Sequence, residues 1–352
     1  MAELLFYILL QEMFFSYQNY VKLWGMYKLC KKKFVRQDTI MKQPDSFLQK
    51  TPVVWIGALI CCALWGSAFP CIKLGYEWMQ IASGDTASQI LYAGLRFTLA
   101  GILTILIGSV AQRRILFPTV SAMPRVLWLC MLQTVAQYLF FYIGLAHTTG
   151  VKASIIEGMN VFVAVLVAAL LFHQEKLTFR KLLGCVIGFL GVVCVNLNGL
   201  SLDAPFRWNG EFFIFLSTVA YAFSSVYMKK YSKDHNPVML SGYQFLLGGI
   251  IMSVCGLLTR GRLHSFSGRS IAMLFWLATV SAVAYSIWSI LLKYNPVSKV
   301  AVFGFMNPVF GFLLSSILLN EDTTISFITI GSLILVCAGI FIVNKPAKTT
   351  TQ

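Results

Sequence analysis

Ten apolar runs of about 20 residues each, divided by short polar turns, constrain this chain more than any motif in it. They fall near 53–76, 88–109, 125–146, 150–172, 179–198, 210–230, 238–259, 271–293, 297–319 and 325–344. A helix rises ~1.5 Å per residue, so ~20 apolar residues cross the ~30 Å of hydrocarbon in a bilayer. Lipid offers no water to backbone polar groups, so such runs must close their own hydrogen bonds as helices. Turn residues punctuate them: Ser83-Gly84-Asp85, Pro118, Pro124, Gly150, Pro205, Asn236-Pro237, Gly261, Asn295-Pro296 and Asp322. Hydrophobic residues make up 58% of the chain and charged residues 12%, about half the charge of a soluble domain. The expected fold is an all-α polytopic membrane protein with ten transmembrane helices.

The net charge of +15 sits mostly between the runs and at the chain ends. No basic patch interleaved with stacking aromatics occupies a soluble segment, so a nucleic-acid partner is excluded and the partners expected are a lipid bilayer and a small-molecule substrate. With the N-terminus inside, Arg113, Arg114, Arg125, Lys176, Arg180, Lys181, Lys230, Lys233, Lys293, Lys299, Lys345 and Lys348 fall on the cytoplasmic side. The other side receives Lys152, Arg207, Arg260, Arg262 and Arg269. This bias predicts cytoplasmic N- and C-termini in a multi-pass protein of the plasma or inner membrane, with the 260–269 loop as the contradiction.

Residues 1–50 differ from the rest. Tyr17, Tyr20, Trp24 and Tyr27 are mixed with Lys22, Lys28, Lys31, Lys32 and Lys33, and the apolar start is too short to span. Two readings stand: a basic aromatic helix on an anionic membrane face, or an extension upstream of a start at Met41.

The chain also repeats itself. Lys152 and Met159-Asn160 match Lys299 and Met306-Asn307 at an offset of 147 (299 − 152), and Tyr138 matches Tyr285 at the same offset. Leu95-Arg96-Phe97 before Gly101 echoes Tyr243-Gln244-Phe245 before Gly249. Trp65 with Lys73 echoes Tyr221 with Lys229, and Gly184 and Gly191 have weaker counterparts in Ser332 and Gly339. The expected organisation is a first repeat over 51–200, a second over 208–345 and a polar tail over 346–352. Five spans is an odd number, so the second repeat must cross in the opposite sense. Inverted repeats of this kind characterise secondary transporters, with the substrate site near the midplane where the halves meet.

Ala63-Leu64-Trp65-Gly66-Ser67-Ala68-Phe69-Pro70 resembles the opening signature of EamA-type members of the drug/metabolite transporter superfamily. Leu95-Arg96-Phe97 fits the same pattern, as do Glu175 with Gly184 and Gly191, and Asn307-Pro308 through Glu321. The resemblance covers roughly 53–344. It implies two inverted five-helix repeats, a central cavity lined by spans 1–4 and 6–9, and peripheral spans 5 and 10 placed for homodimer contacts. It implies movement of small metabolites, often export of amino acids or related compounds. Val161 stands where the second copy has Pro308, which puts the first copy's broken helix in question, and the turn before the tenth span is two residues longer.

Ionisable groups deep in a membrane are costly and usually have a task or a partner. Two lie deep here, Arg96 and Glu157. Either they form an ion pair or snorkel to a mouth, or Glu157 titrates or meets a cationic group while Arg96 meets a carboxylate. The wider set of cavity residues is Trp65, Tyr92, Gln133, Gln137, Tyr138, Asn160, Tyr221, Ser224, Gln244, Tyr285, Trp288 and Asn307. Gln133 and Gln137, four apart, are expected on one helix face. Aromatics with a few amides suit small zwitterionic or partly apolar solutes. For each residue alone, interhelical bonding and interfacial packing are the competing roles. Lys73 and Lys229 read as snorkelling ends, Lys152 and Lys299 as loop charges or an anion-facing mouth, and Glu175 and Glu321 as cap-region acids.

Enzyme signatures are missing. The nine cysteines form no C-x-x-C pair, and His147, His173, His235 and His264 form no H-E-x-x-H. No G-x-S-x-G elbow or Walker sequence occurs, so neither catalysis nor a cofactor or metal is expected, and transport would run on gradients. Gly66, Pro70, Gly158 and Pro308 are the expected flex points. The alternatives are a membrane-embedded enzyme or lipid-handling protein of the same architecture, and a passive channel, which would need a filter the sequence lacks.

Overall fold

The structure, a computed structural model, describes residues 46–148, 150–196, 207–318 and 327–345. The expectations for the basic arm up to residue 45, for Pro205, Glu321 and Asp322, and for the polar tail lie outside the described residues. Ten long helices follow one another: α1 Thr51–Trp78, α2 Thr86–Ala111, α3 Met123–Leu145, α4 Lys152–Leu171, α5 Phe179–Val195, α6 Trp208–Tyr231, α7 Pro237–Leu258, α8 Gly268–Tyr294, α9 Val297–Ser315 and α10 Phe327–Asn344. Eight are long and apolar enough to cross a membrane; α5, with 17 residues, and α10 are the shorter pair. The described residues contain no strand.

Local chemistry starts these helices. The Asp85 carboxylate accepts from the Ser88 N–H at the head of α2, and Asn236 accepts from Val238 and Met239 at the head of α7, where Pro237 supplies a preset φ. Thr178 and Ser267 cap α5 and α8 in the same way.

Glycine decides how the helices meet. Along the α2–α7 contact, a Cβ on Gly94 would stand 2.4 Å from the Ser253 nitrogen, and one on Gly101 2.4 Å from the Leu246 nitrogen. The mirrored positions repeat this: Gly249 lies against Thr98, and Gly242 against Ile105. Numbers rise along α2 as they fall along α7, so these two second spans of their repeats run antiparallel. Between lipid-immersed helices such close backbone approach is the main source of affinity. Helices α5 and α10 pair likewise, Gly184 against Gly339 and Val343, and Gly191 against Ser332 and Val336. Their outer faces show Phe179, Leu183, Val186, Leu190, Ile334 and Phe341, an apolar surface suited to hydrocarbon.

The remaining packing obeys the same exchange. Helix α1 packs on α8 and α9, while α6 packs on α3 and α4. Swapping the repeats turns one set into the other. The fold is therefore two inverted five-helix repeats closed around each other.

Both copies break at the Met-Asn dipeptide. In α9 a 3-10 turn, Val302–Phe305, precedes Met306. In α4 the helix is interrupted at Met159, whose N–H turns back to the Ile156 carbonyl at 2.9 Å, a three-residue closure. The first copy is interrupted with Val161 where the second has Pro308, so a proline is not required for the break.

Candidate substrate cavity

A cavity of about 150 Å³ opens between the repeats, lined by residues of α1–α4, α6, α8 and α9. Four repeat-related pairs line it: Trp65 with Tyr221, Tyr138 with Tyr285, Asn160 with Asn307, and Glu157 with Gly304. The pair Tyr138–Tyr285 is joined directly, hydroxyl to hydroxyl, at 3.0 Å. Behind each stands a counterpart phenylalanine: Phe97 lies 4.4 Å from Tyr138, Phe245 lies 4.7 Å from Tyr285, and the two phenylalanines stack at 5.3 Å. The pseudo-twofold axis passes through this aromatic floor. A Tyr138→Phe/Tyr285→Phe double-mutant cycle, read by thermal melting in detergent, should give a coupling of about 0.6 kcal/mol, the mean for interhelical bonds in membranes. Zero coupling would mean the hydroxyls do not meet.

Arg96, Gln137 and Glu157 complete the predicted residues that line the cavity. The Arg96 guanidinium donates through Nε and Nη2 to the Ser281 hydroxyl at 3.2 and 2.9 Å, and its Cζ stands 5.1 Å from the Phe97 ring centroid. No ion pair among the described residues joins Arg96 to Glu157, so the pairing that sequence suggested is not made; Ser281 holds the cation instead. The arrangement is mirrored across the axis. Thr134, the counterpart of Ser281, donates to Gln244, the counterpart of Arg96, at 2.9 Å. Two cross-repeat hydroxyl bonds thus clamp α2 to α8 and α3 to α7.

The other expected residues stand outside the lining. Tyr92 is buried against Tyr76, under Gly75. Ser224 donates to the Tyr221 carbonyl at 2.7 Å. Trp288 lies behind Trp65, their rings 5.0 Å apart. Gln244 donates to Gln133 at 3.0 Å. Gln133 and Gln137 do not share a face, because Cys130–Ala136 is π-helical. The wider turn rotates Gln133 toward α7 and leaves Gln137 facing the cavity.

Sequence reasoning missed Ser154, Ser217 and Thr218 in the lining. Helical spacing held the signal: Ser154 lies one turn before Glu157, and Ser217 and Thr218 one turn before Tyr221. Three buried polar atoms of the lining residues lack a hydrogen-bond partner among the described residues: the Trp65 indole N–H, Gln137 Oε1 and Asn307 Oδ1. Buried polar groups normally find partners, so these three atoms are exceptions within the described residues.

The two ends of the bundle differ. At the end of α4 that carries Ser154, Lys152 pairs with Glu211 of α6 at 3.3 Å. At the opposite end, the Glu175 carboxylate accepts from the Ser298 N–H at 2.9 Å, from the Ser298 hydroxyl, and from Lys181 at 2.6 Å. The acid therefore caps α9 across the repeat boundary, not the helix that follows it. Lys229, expected to snorkel, donates to the Leu292 carbonyl at 3.1 Å and to the Asn295 carbonyl, while Lys299 donates to the Gln49 carbonyl at 2.9 Å.

Inverted five-helix repeats around a polar cavity define a multi-pass membrane transporter. The EamA-like transporter family model matches residues 53–197 and again 208–345, and the chain belongs to that family. An uncharacterized transporter of Archaeoglobus fulgidus is 27% identical over 301 residues, 83% of this chain and 98% of its own length. The uncharacterized transporter YvbV of Bacillus subtilis is 25% identical, covering 80% of this chain and 91% of its own. A solved crystal structure at 16% identity shares the fold, with a TM-score of 0.67 over 83% of this chain and 96% of that one.

Proposed function

We propose that the chain is a secondary transporter exporting small metabolites, amino acids or related compounds, by alternating access between its two repeats. The observation that carries this reading is the chemistry of the cavity. A guanidinium and a carboxylate that do not neutralise each other line one aromatic space, beside unpartnered amide oxygens and an indole N–H. A zwitterion needs a donor for its carboxylate and an acceptor for its ammonium, and Arg96 and Glu157 supply them. Without a nucleotide-binding motif the energy comes from a gradient. We place both termini in the cytoplasm of a plasma or inner membrane, on the loop charges, so that the cavity faces outward and the Glu175 end faces the cytoplasm.

Purified protein in liposomes should show saturable counterflow of a labelled amino acid, and cells overproducing it should resist toxic amino-acid analogues. Equal sensitivity with and without expression, together with no counterflow for any amino acid, would overturn the substrate class.

A further inference from the structure

The axis through Tyr138 and Tyr285 relates each lining residue to a partner 147 residues away in α3/α8 and α4/α9. In an inverted-repeat protein the opposite-facing state arises when the repeats exchange conformations. The lining of that state is then the set of counterparts of the present lining. Phe141 and Tyr142 map onto Trp288 and Ser289 and Arg96 onto Gln244, while Glu157 and Gly304, each the other's counterpart, belong to both linings.

The structure already treats these counterparts unusually. Trp288 is 3% exposed, yet its indole N–H has no partner among the described residues. Ser289 is buried and bonds to buried Ser241 at 2.7 Å. Gln244 is fully buried on Thr134 and Gln133. All lie on the side of Trp65 that leads toward Glu175, where the bonds of Glu175 to Ser298 and of Lys229 to α8 close the bundle.

We propose that Gln244, Trp288 and Ser289 form a second substrate vestibule that is uncovered when the polar lattice around Glu175 releases. It takes the same solute as the present cavity, through the indole N–H and the serine hydroxyls, with Gln244 in the place of Arg96. The proposal rests on the alternating-access reading and is independent of which solute is carried.

A membrane-impermeant thiol reagent, applied separately to each face of sealed vesicles, tests it. Wild-type protein gives the background of the native cysteines. Ser289→Cys should react above that background only from the Glu175 face, and about tenfold faster in a Glu175→Ala background, the scale for losing a charge-assisted bond. Ser154→Cys should react only from the other face, and more slowly in that background. Should Glu175→Ala not fold, a disulfide between Glu175→Cys and Ser298→Cys serves: closing it should silence Ser289→Cys and reducing it should restore reaction. Reaction of Ser289→Cys from the Ser154 face, or no change with the disulfide open or closed, would overturn the vestibule. Failure of amino-acid counterflow alone would overturn only the substrate class.

Discussion

Gly249→Val is expected to leave almost no folded protein in detergent. A Cβ at this position would stand 2.2 Å from the Thr98 nitrogen and 2.7 Å from the Phe97 carbonyl carbon. Both are backbone atoms and cannot swing aside as a side-chain tip would. Relief requires α2 and α7 to separate, which also parts Gly94 from Ser253 and Gly101 from Leu246. Overpacking ordinarily costs ~1–3 kcal/mol, and loss of one helix pair's whole contact exceeds that. Because α2 and α7 belong to different repeats, the lesion strikes the junction of the halves. Gly84→Ala is the control, since a Cβ there meets nothing within 4 Å. Gel-filtration profiles and melting midpoints of the two variants give the comparison. A Gly249→Val protein that elutes and melts like wild type would show that the two helices do not meet at this seam.

Glu157→Gln is expected to abolish the pH dependence of transport. Glu157 lines the cavity, and none of the described residues gives its carboxylate a hydrogen bond or an ion pair. An ionised Glu157 attracts the ammonium of a zwitterion, and a protonated one does not. Transport should therefore rise with pH through the titration of this group in wild type and lie flat in the glutamine variant. Losing a bond to a charged group costs ~1.5–3 kcal/mol, so uptake efficiency at high pH should fall roughly 10- to 100-fold. Initial rates of counterflow across pH, in liposomes with equal internal and external buffer, measure both effects. A variant that keeps the wild-type profile would remove Glu157 from the coupling mechanism.

Much of the architecture was legible because lipid writes it in composition. Span length, the odd count of spans per half and the shared Met-Asn and tyrosine positions lead from sequence to an inverted pair in which Tyr138 and Tyr285 hold matching positions. The site was legible only in part. Arg96 and Glu157 stand out as charges in apolar runs, but the partner of Arg96 is Ser281, 185 positions away, and a serine in an apolar helix carries no distinguishing mark. Gln133 was misplaced because a π-helical turn has no reliable sequence signature and shifts every later side chain around the axis. The role of Glu175 was hidden for a similar reason: its partner, Ser298, is 123 positions distant, and only the folded chain brings that helix start beneath the acid.

The bond between Tyr138 and Tyr285 has a mechanical meaning. If the halves exchange conformations as proposed, residues on the axis that relates them keep equivalent surroundings in both states, and the twin phenols are then a fulcrum. In the alternating-access cycle proposed above, the two ends of the bundle open and close in turn about this spot, which itself stays still.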